Sequence, residues 1–98
     1  MSKIYLPDLI RPREVQQVLC ELGIRWNAHK VNPTGWVVIR SPFREDNHPS
    51  FSLNVRKGCF KDFATGEGGD LVKLIRRATK MRKRDVEQYL KQKFNIRY

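Results

Sequence analysis

The 98 residues carry 20 lysines and arginines against 10 aspartates and glutamates, a formal net charge of +10 with a pI near 10.1. That length predicts a single domain, 1–98, with a modest core, and that charge predicts an acidic partner, nucleic acid first. A mean hydropathy of −0.61, no run near the ~18 apolar residues a span needs, and no apolar leader after Met1 argue against a membrane, so the expected location is cytoplasmic.

In chain order, Ile4, Leu6, Leu9 and Ile10 surround Pro7 and predict a packed arm or short turn. Pro12 suits the first turn of a helix, where its missing N–H costs nothing. Val15, Val18, Leu19 and Leu22 recur at helical spacing and Gly23 follows as a stop, which predicts a helix over 12–22. Two strand-like runs come next, Arg25–Val31 and Trp36–Arg40, with Asn32-Pro33-Thr34-Gly35 between them as a type I turn. Ser50–Asn54 alternates Phe51 and Leu53 against serines, as a half-buried strand does, and Cys59–Phe63 returns as its partner after Arg56-Lys57-Gly58.

The expected class is therefore α+β: a small antiparallel sheet of about four strands, an N-terminal helix, and two C-terminal helices. Gly66-Glu67-Gly68-Gly69 reads as a tight loop, and Asp70 as the N-cap of a helix whose inward face is Leu71, Leu74, Ile75 and Ala78. A last helix spans about 83–94, with Val86, Tyr89, Leu90 and Phe94 inward. The aromatic residues Trp36, Phe43, Phe51, Phe60 and Phe63 are expected to stabilise most of the sheet. Cys20 and Cys59 form no Cys-x-x-Cys pair and read as free thiols. A metal site built from them with His29 and His48 lacks ligand spacing.

Ser41-Pro42-Phe43-Arg44, Pro49-Ser50-Phe51 and Cys59-Phe60-Lys61-Asp62 followed by Gly66-Glu67-Gly68-Gly69-Asp70 fall in a familiar order. The segment 41–70 resembles the zinc ribbon (CHC2-type) that opens bacterial DNA primases, closely there and more loosely over 71–92. The match is to a variant in which all four ligand positions have changed: Ser41 and Arg44 in the first knuckle, Asp62 and Thr65 in the second. The resemblance implies a degenerate zinc ribbon without metal or other cofactor, like those of mobile-element or phage primase-associated proteins. Ligands around a zinc ion sit at about 2.0–2.3 Å from it, so residues at those vertices are within ion-pair reach of each other. Arg44 could then pair with Asp62 while Ser41 and Thr65 satisfy the remaining groups. Alternatively the hydroxyls serve ordinary turns and the two charges are solvated.

The charge is concentrated at the end of the chain. Residues 72–98 hold ten basic side chains and two acidic ones, leaving only +2 for residues 1–71. Lys73, Arg76, Arg77 and Lys80 fall at i, i+3, i+4 and i+7, a narrow helical stripe opposite Leu71, Leu74 and Ile75, and Arg82, Lys83 and Arg84 extend it. One sign over a continuous stretch marks a nucleic-acid contact more than a solvated face. Single-strand binders add aromatic platforms to such a track. Trp36 is the best candidate, with Tyr5, Trp26, Phe60 and Tyr98 behind it. A helix-turn-helix over 70–94 would instead address duplex DNA, but Glu87, Gln88 and Lys91 are a weak basis for groove readout.

Primer synthesis needs clustered carboxylates for divalent metals. The chain has no Asp-x-Asp, and Glu45-Asp46 beside His48 is thin evidence for a site. The glycine loop lacks the Gly-Lys-Ser/Thr ending of a phosphate-binding loop. The expectation is a non-enzymatic accessory subunit that binds single-stranded DNA template and serves a separate primase or polymerase. The alternative is a protein–protein adaptor that docks on a replication enzyme without touching nucleic acid.

Overall fold

A computed structural model describes residues 5–45 and 48–97. Ile4, Asp46 and Tyr98, singled out above, lie outside the described residues. A 3-10 turn at Leu6–Leu9 leads into α1, Pro12–Glu21. The Glu14 carboxylate accepts the Arg11 N–H at 2.9 Å and so caps the helix start. Its end is a Schellman turn. Gly23 takes φ +80°, Gly23 N–H donates to the Cys20 carbonyl, and Ile24 N–H to that of Leu19. Val15, Val18 and Leu19 are buried below, with Ile24 beside them.

The run Arg25–Val31 is not a strand. Asn27 accepts the His29 N–H at 2.9 Å, and Ala28–Lys30 closes into a 3-10 turn. A short polar side chain has offered the backbone a local bond in place of a ladder. The next turn is as expected: Gly35 N–H reaches the Asn32 carbonyl at 3.0 Å. The Asn32 side chain holds the Thr34 and Trp36 N–H groups from outside.

The sheet has four antiparallel strands in the order β1-β2-β3-β4. They are β1 Trp36–Ile39, β2 Phe51–Asn54, β3 Phe60–Asp62 and β4 Gly68–Gly69. The strand count matches expectation, but one member differs. Gly68 and Gly69 are not loop: they pair with Lys61 and Phe60. Only Gly66 of that segment has a positive φ, +80°. The absence of side chains lets β4 lie close, since a Cβ on Gly69 would fall 2.4 Å from Lys73 Cδ. Between β2 and β3 the buried Asn54 side chain accepts the Arg56 and Lys57 N–H groups at 3.0 Å each. Gly58 is required there, with φ +83° and a Cβ position 2.6 Å from Leu71 Cδ1.

Asp70 caps α2, Leu71–Thr79, by accepting the Lys73 N–H at 2.9 Å. The helix stops at Lys80, which takes the left-handed conformation at φ 63°. α3 follows at Lys83–Lys93. Leu71, Leu74 and Ile75 are fully buried as expected, whereas Val72 is buried and Ala78 exposed. On α3, Val86 and Leu90 are buried, while Tyr89 is exposed and Phe94 only half-buried.

Strand alternation divides the sheet. One face sends Val37, Leu53, Phe51 and Phe60 into a core shared with the three helices. Phe51 stacks on Phe60 at 5.3 Å between centroids, and Phe43 meets both edge-on at 5.7 and 6.2 Å. The other face carries Val38, Ser52 and Lys61 in register, and Val38 and Lys61 are exposed. Phe63, expected to help stabilise the sheet, is 69% exposed beside this face.

Candidate nucleic-acid interface

The knuckle corner is built around Asp62. Asp62 ends β3 at 3% exposure. Arg44 Nη2 reaches both of its carboxylate oxygens, at 3.1 and 3.2 Å, and the Ala64 N–H donates to Oδ1 at 3.0 Å. Of the two alternatives, the ion pair forms for the charges, and ordinary turns hold for the hydroxyls. Ser41 and Thr65 serve turns: Ser41 Oγ accepts the Phe43 N–H at 3.2 Å, and Thr65 Oγ1 accepts the Glu67 N–H at 3.2 Å. A carboxylate this buried needs its cation, and the pair ties the first knuckle to the sheet.

The four stripe cations are brought together by α2. Lys73, Arg76, Arg77 and Lys80, with Met81, line one shallow groove of about 310 Å³. Their roles within it differ. Lys73 Nζ donates to the Gly68 carbonyl at 2.8 Å, so it also closes the β4 turn. Arg77 Nε pairs with Glu67 at 2.9 Å, and its guanidinium lies 4.8 Å over the Phe43 ring. Arg76, Lys80, Lys83 and Arg84 make no ion pair among the described residues. Arg82 bonds Asp85 at 3.3 Å at an exposed site, where such a pair contributes little. Lys83 shares a second hollow with Lys73 and Arg76. Farther along α3, Lys93 is committed elsewhere. It pairs with Glu21 at 2.8 Å and ties α3 to α1; their hydrogen bond lowers the Glu21 pKa and raises that of Lys93.

The aromatic candidates sort by exposure. Phe60 is buried, Trp26 and Trp36 are half-buried, and Tyr5 is 49% exposed. Trp36 opens β1 with its N–H held by Asn32. Sequence reasoning missed Phe63. It was placed with the sheet core, yet strand parity put it opposite buried Asp62, and that was the available signal. Tyr5 donates its hydroxyl to Asp70 Oδ2 at 2.5 Å. Burial first, and then this bond to a carboxylate, raise the Tyr5 pKa. Burial also pushes up that of the Cys59 thiol.

A short antiparallel sheet, knuckle turns at 41–44 and 62–65, and a helix entered directly from the last strand are the layout that the resemblance implies. The chain belongs to the CHC2 zinc finger family, the DnaG-type zinc ribbon: the family model matches residues 31–98, well over half the sequence. The family is primase-related and DNA-binding. No curated protein and no solved structure matches the chain significantly.

The family implies zinc, and the residues here do not fit it. A guanidinium has no lone pair to donate and keeps its proton, and Arg44 occupies one vertex. Asp62 is engaged by Arg44 and Ala64. Among the described residues, no three His, Cys, Asp or Glu side chains gather where a metal could be held, and Cys20, Cys59, His29 and His48 form no such group. Nor is any helix of the described residues long and apolar enough to cross a membrane.

Proposed function

We propose that this chain binds single-stranded DNA template as an accessory subunit of a separate primase or polymerase, in the replication system of a mobile element or phage. The observation that carries the reading is the α2 groove, where four cations line up and two of them, Arg76 and Lys80, have no carboxylate partner among the described residues. Like charges so spaced on a helix repel. A polyanion lying along them relieves that repulsion and releases counterions. Lys83, which shares a hollow with Lys73 and Arg76, prolongs the track, while Trp36 and Phe63 offer aromatic surface on the sheet face opposite the helices. The reading assigns no catalysis and no metal to this chain, with the partner enzyme supplying both.

Titration of a labelled single-stranded oligonucleotide, followed by fluorescence anisotropy, tests this. Binding should weaken steeply with salt and exceed that of a matched duplex. Equal affinity for single strand and duplex would count against a template role.

The exposed Val38 and Phe63 favour a second reading, the adaptor that docks on a replication enzyme through the open sheet face. Under it, oligonucleotides are ignored even at low salt while the polymerase or primase subunit is still captured.

A further inference from the structure

Two hollows meet at Tyr5. The first, about 510 Å³, lies within the roughly 300–1,000 Å³ span of small-ligand sites. Its walls are largely apolar: Pro7, Ile10, Pro12, the Tyr5 ring and Cys59. Asp8, Asp70, Arg56 and Lys57 supply its charged lining, and the Asp8 carboxylate makes no hydrogen bond among the described residues. The second hollow, about 310 Å³, shares Tyr5, Pro7 and Asp70 with the first. Lys73, Arg76 and Lys83 line it, opposed by Asp70 and Glu87. The Tyr5–Asp70 hydrogen bond stands between the two hollows, fixed at the far end by the α2 cap.

We propose that this cleft holds one nucleotide of the bound strand, splayed out from its neighbours. The base enters the apolar hollow against the Tyr5 ring, with an N–H edge facing Asp8. The adjoining phosphate sits among Lys73, Arg76 and Lys83. Three cations against two carboxylates leave a single net positive charge in the second hollow. That suits a phosphodiester, which carries one negative charge. The inference rests on the reading of the chain as a single-strand binder and adds to it. The α2 groove supplies sequence-independent grip, and the cleft takes a base.

Cys59, in the wall of the first hollow, reports occupancy, and Cys20, exposed on α1, is the internal control. The full chain is treated with a maleimide, alone and saturated with a single-stranded oligonucleotide whose binding anisotropy has established. The bound strand should slow alkylation of Cys59 and leave Cys20 unchanged. Tyr5→Ala should abolish the protection and weaken oligonucleotide binding by about 5-fold or more, the lower end of base stacking on an aromatic. It should leave the salt dependence unaltered, because no cation is removed. A strand that binds without protecting Cys59 would overturn the cleft and leave the α2 reading intact. A chain that binds no strand would overturn both. A free nucleoside triphosphate that protects Cys59 better than the strand does would overturn the assignment to a phosphodiester.

Discussion

Arg44 and Arg76 differ in what surrounds them. Arg44 holds a carboxylate that is 3% exposed, and its neighbours Ser41 and Asp62 are buried. Arg76 stands exposed on α2 beside Lys80, and neither makes an ion pair among the described residues. At the knuckles the chain places charge where charge is satisfied from within. At Arg76 and Lys80 it places charge that no ion pair satisfies among the described residues. Arg77 stands between the two cases, lining the groove yet pinned by Glu67 and Phe43. The pattern teaches that position in a basic stripe does not decide a residue's work; the nearest carboxylate does.

Arg44→Met strands the Asp62 carboxylate. Losing one partner of a fully buried pair costs about 3–5 kcal/mol, and the 35% exposure of Arg44 reduces this to about 2–3 kcal/mol. Thermal denaturation should show a drop of about 10–20 °C for a chain of this length. The double variant Arg44→Met, Asp62→Leu should recover much of it, and Arg44→Met alone should leave oligonucleotide affinity nearly unchanged at a temperature where it is folded. A melting point unmoved by Arg44→Met would mean that the corner carries no stability.

Next comes the contrast within α2. Arg77→Ala should lower stability by about 1 kcal/mol, through the lost Glu67 pair and the Phe43 contact. Arg76→Ala should leave stability within about 0.5 kcal/mol, as surface changes usually do, and weaken strand binding. Circular dichroism melts and anisotropy on the same two variants check this. The reverse assignment would erase the distinction between a pinned and an open cation.

Excess chelator should leave the melting temperature where it is, and metal analysis should find no stoichiometric zinc. A structural zinc contributes on the order of 10 kcal/mol of apparent binding energy, so its removal would be plain in a melt. Unfolding by chelator would restore the metal and overturn the account of the corner.

Much of this was legible in the sequence, for reasons that can be located. Helical spacing placed α1, α2 and α3 within a residue or two, and Asp70 was readable as a cap because an Asp before an apolar-periodic run has one common use. The knuckle residues were readable from the order of motifs around them. What failed was decided by competition between local and distant partners. Arg25–Val31 reads as a strand only through Trp26 and Val31, and Asn27 diverts the backbone into a 3-10 turn. Gly68 and Gly69 have the composition of a loop, yet they pair with β3, where a Cβ would crowd Lys73 and the Phe60 carbonyl. Ala78 fits the apolar stripe but lies beyond the reach of the core, and Phe63 sits on the wrong parity of its strand for burial. The cleft at Tyr5 joins residues 65 positions apart, and no spacing in the sequence announces it.

The most direct test is the slope of log affinity against log salt for a single strand, measured for the parent chain and for Arg76→Ala, Lys80→Ala. Each phosphate-contacting cation contributes about 0.7 to that slope on single strands. The account predicts that the double variant lowers the slope by about 1.4 while its melting temperature holds. An identical slope in parent and variant would contradict it, because the strand would then be held somewhere other than α2.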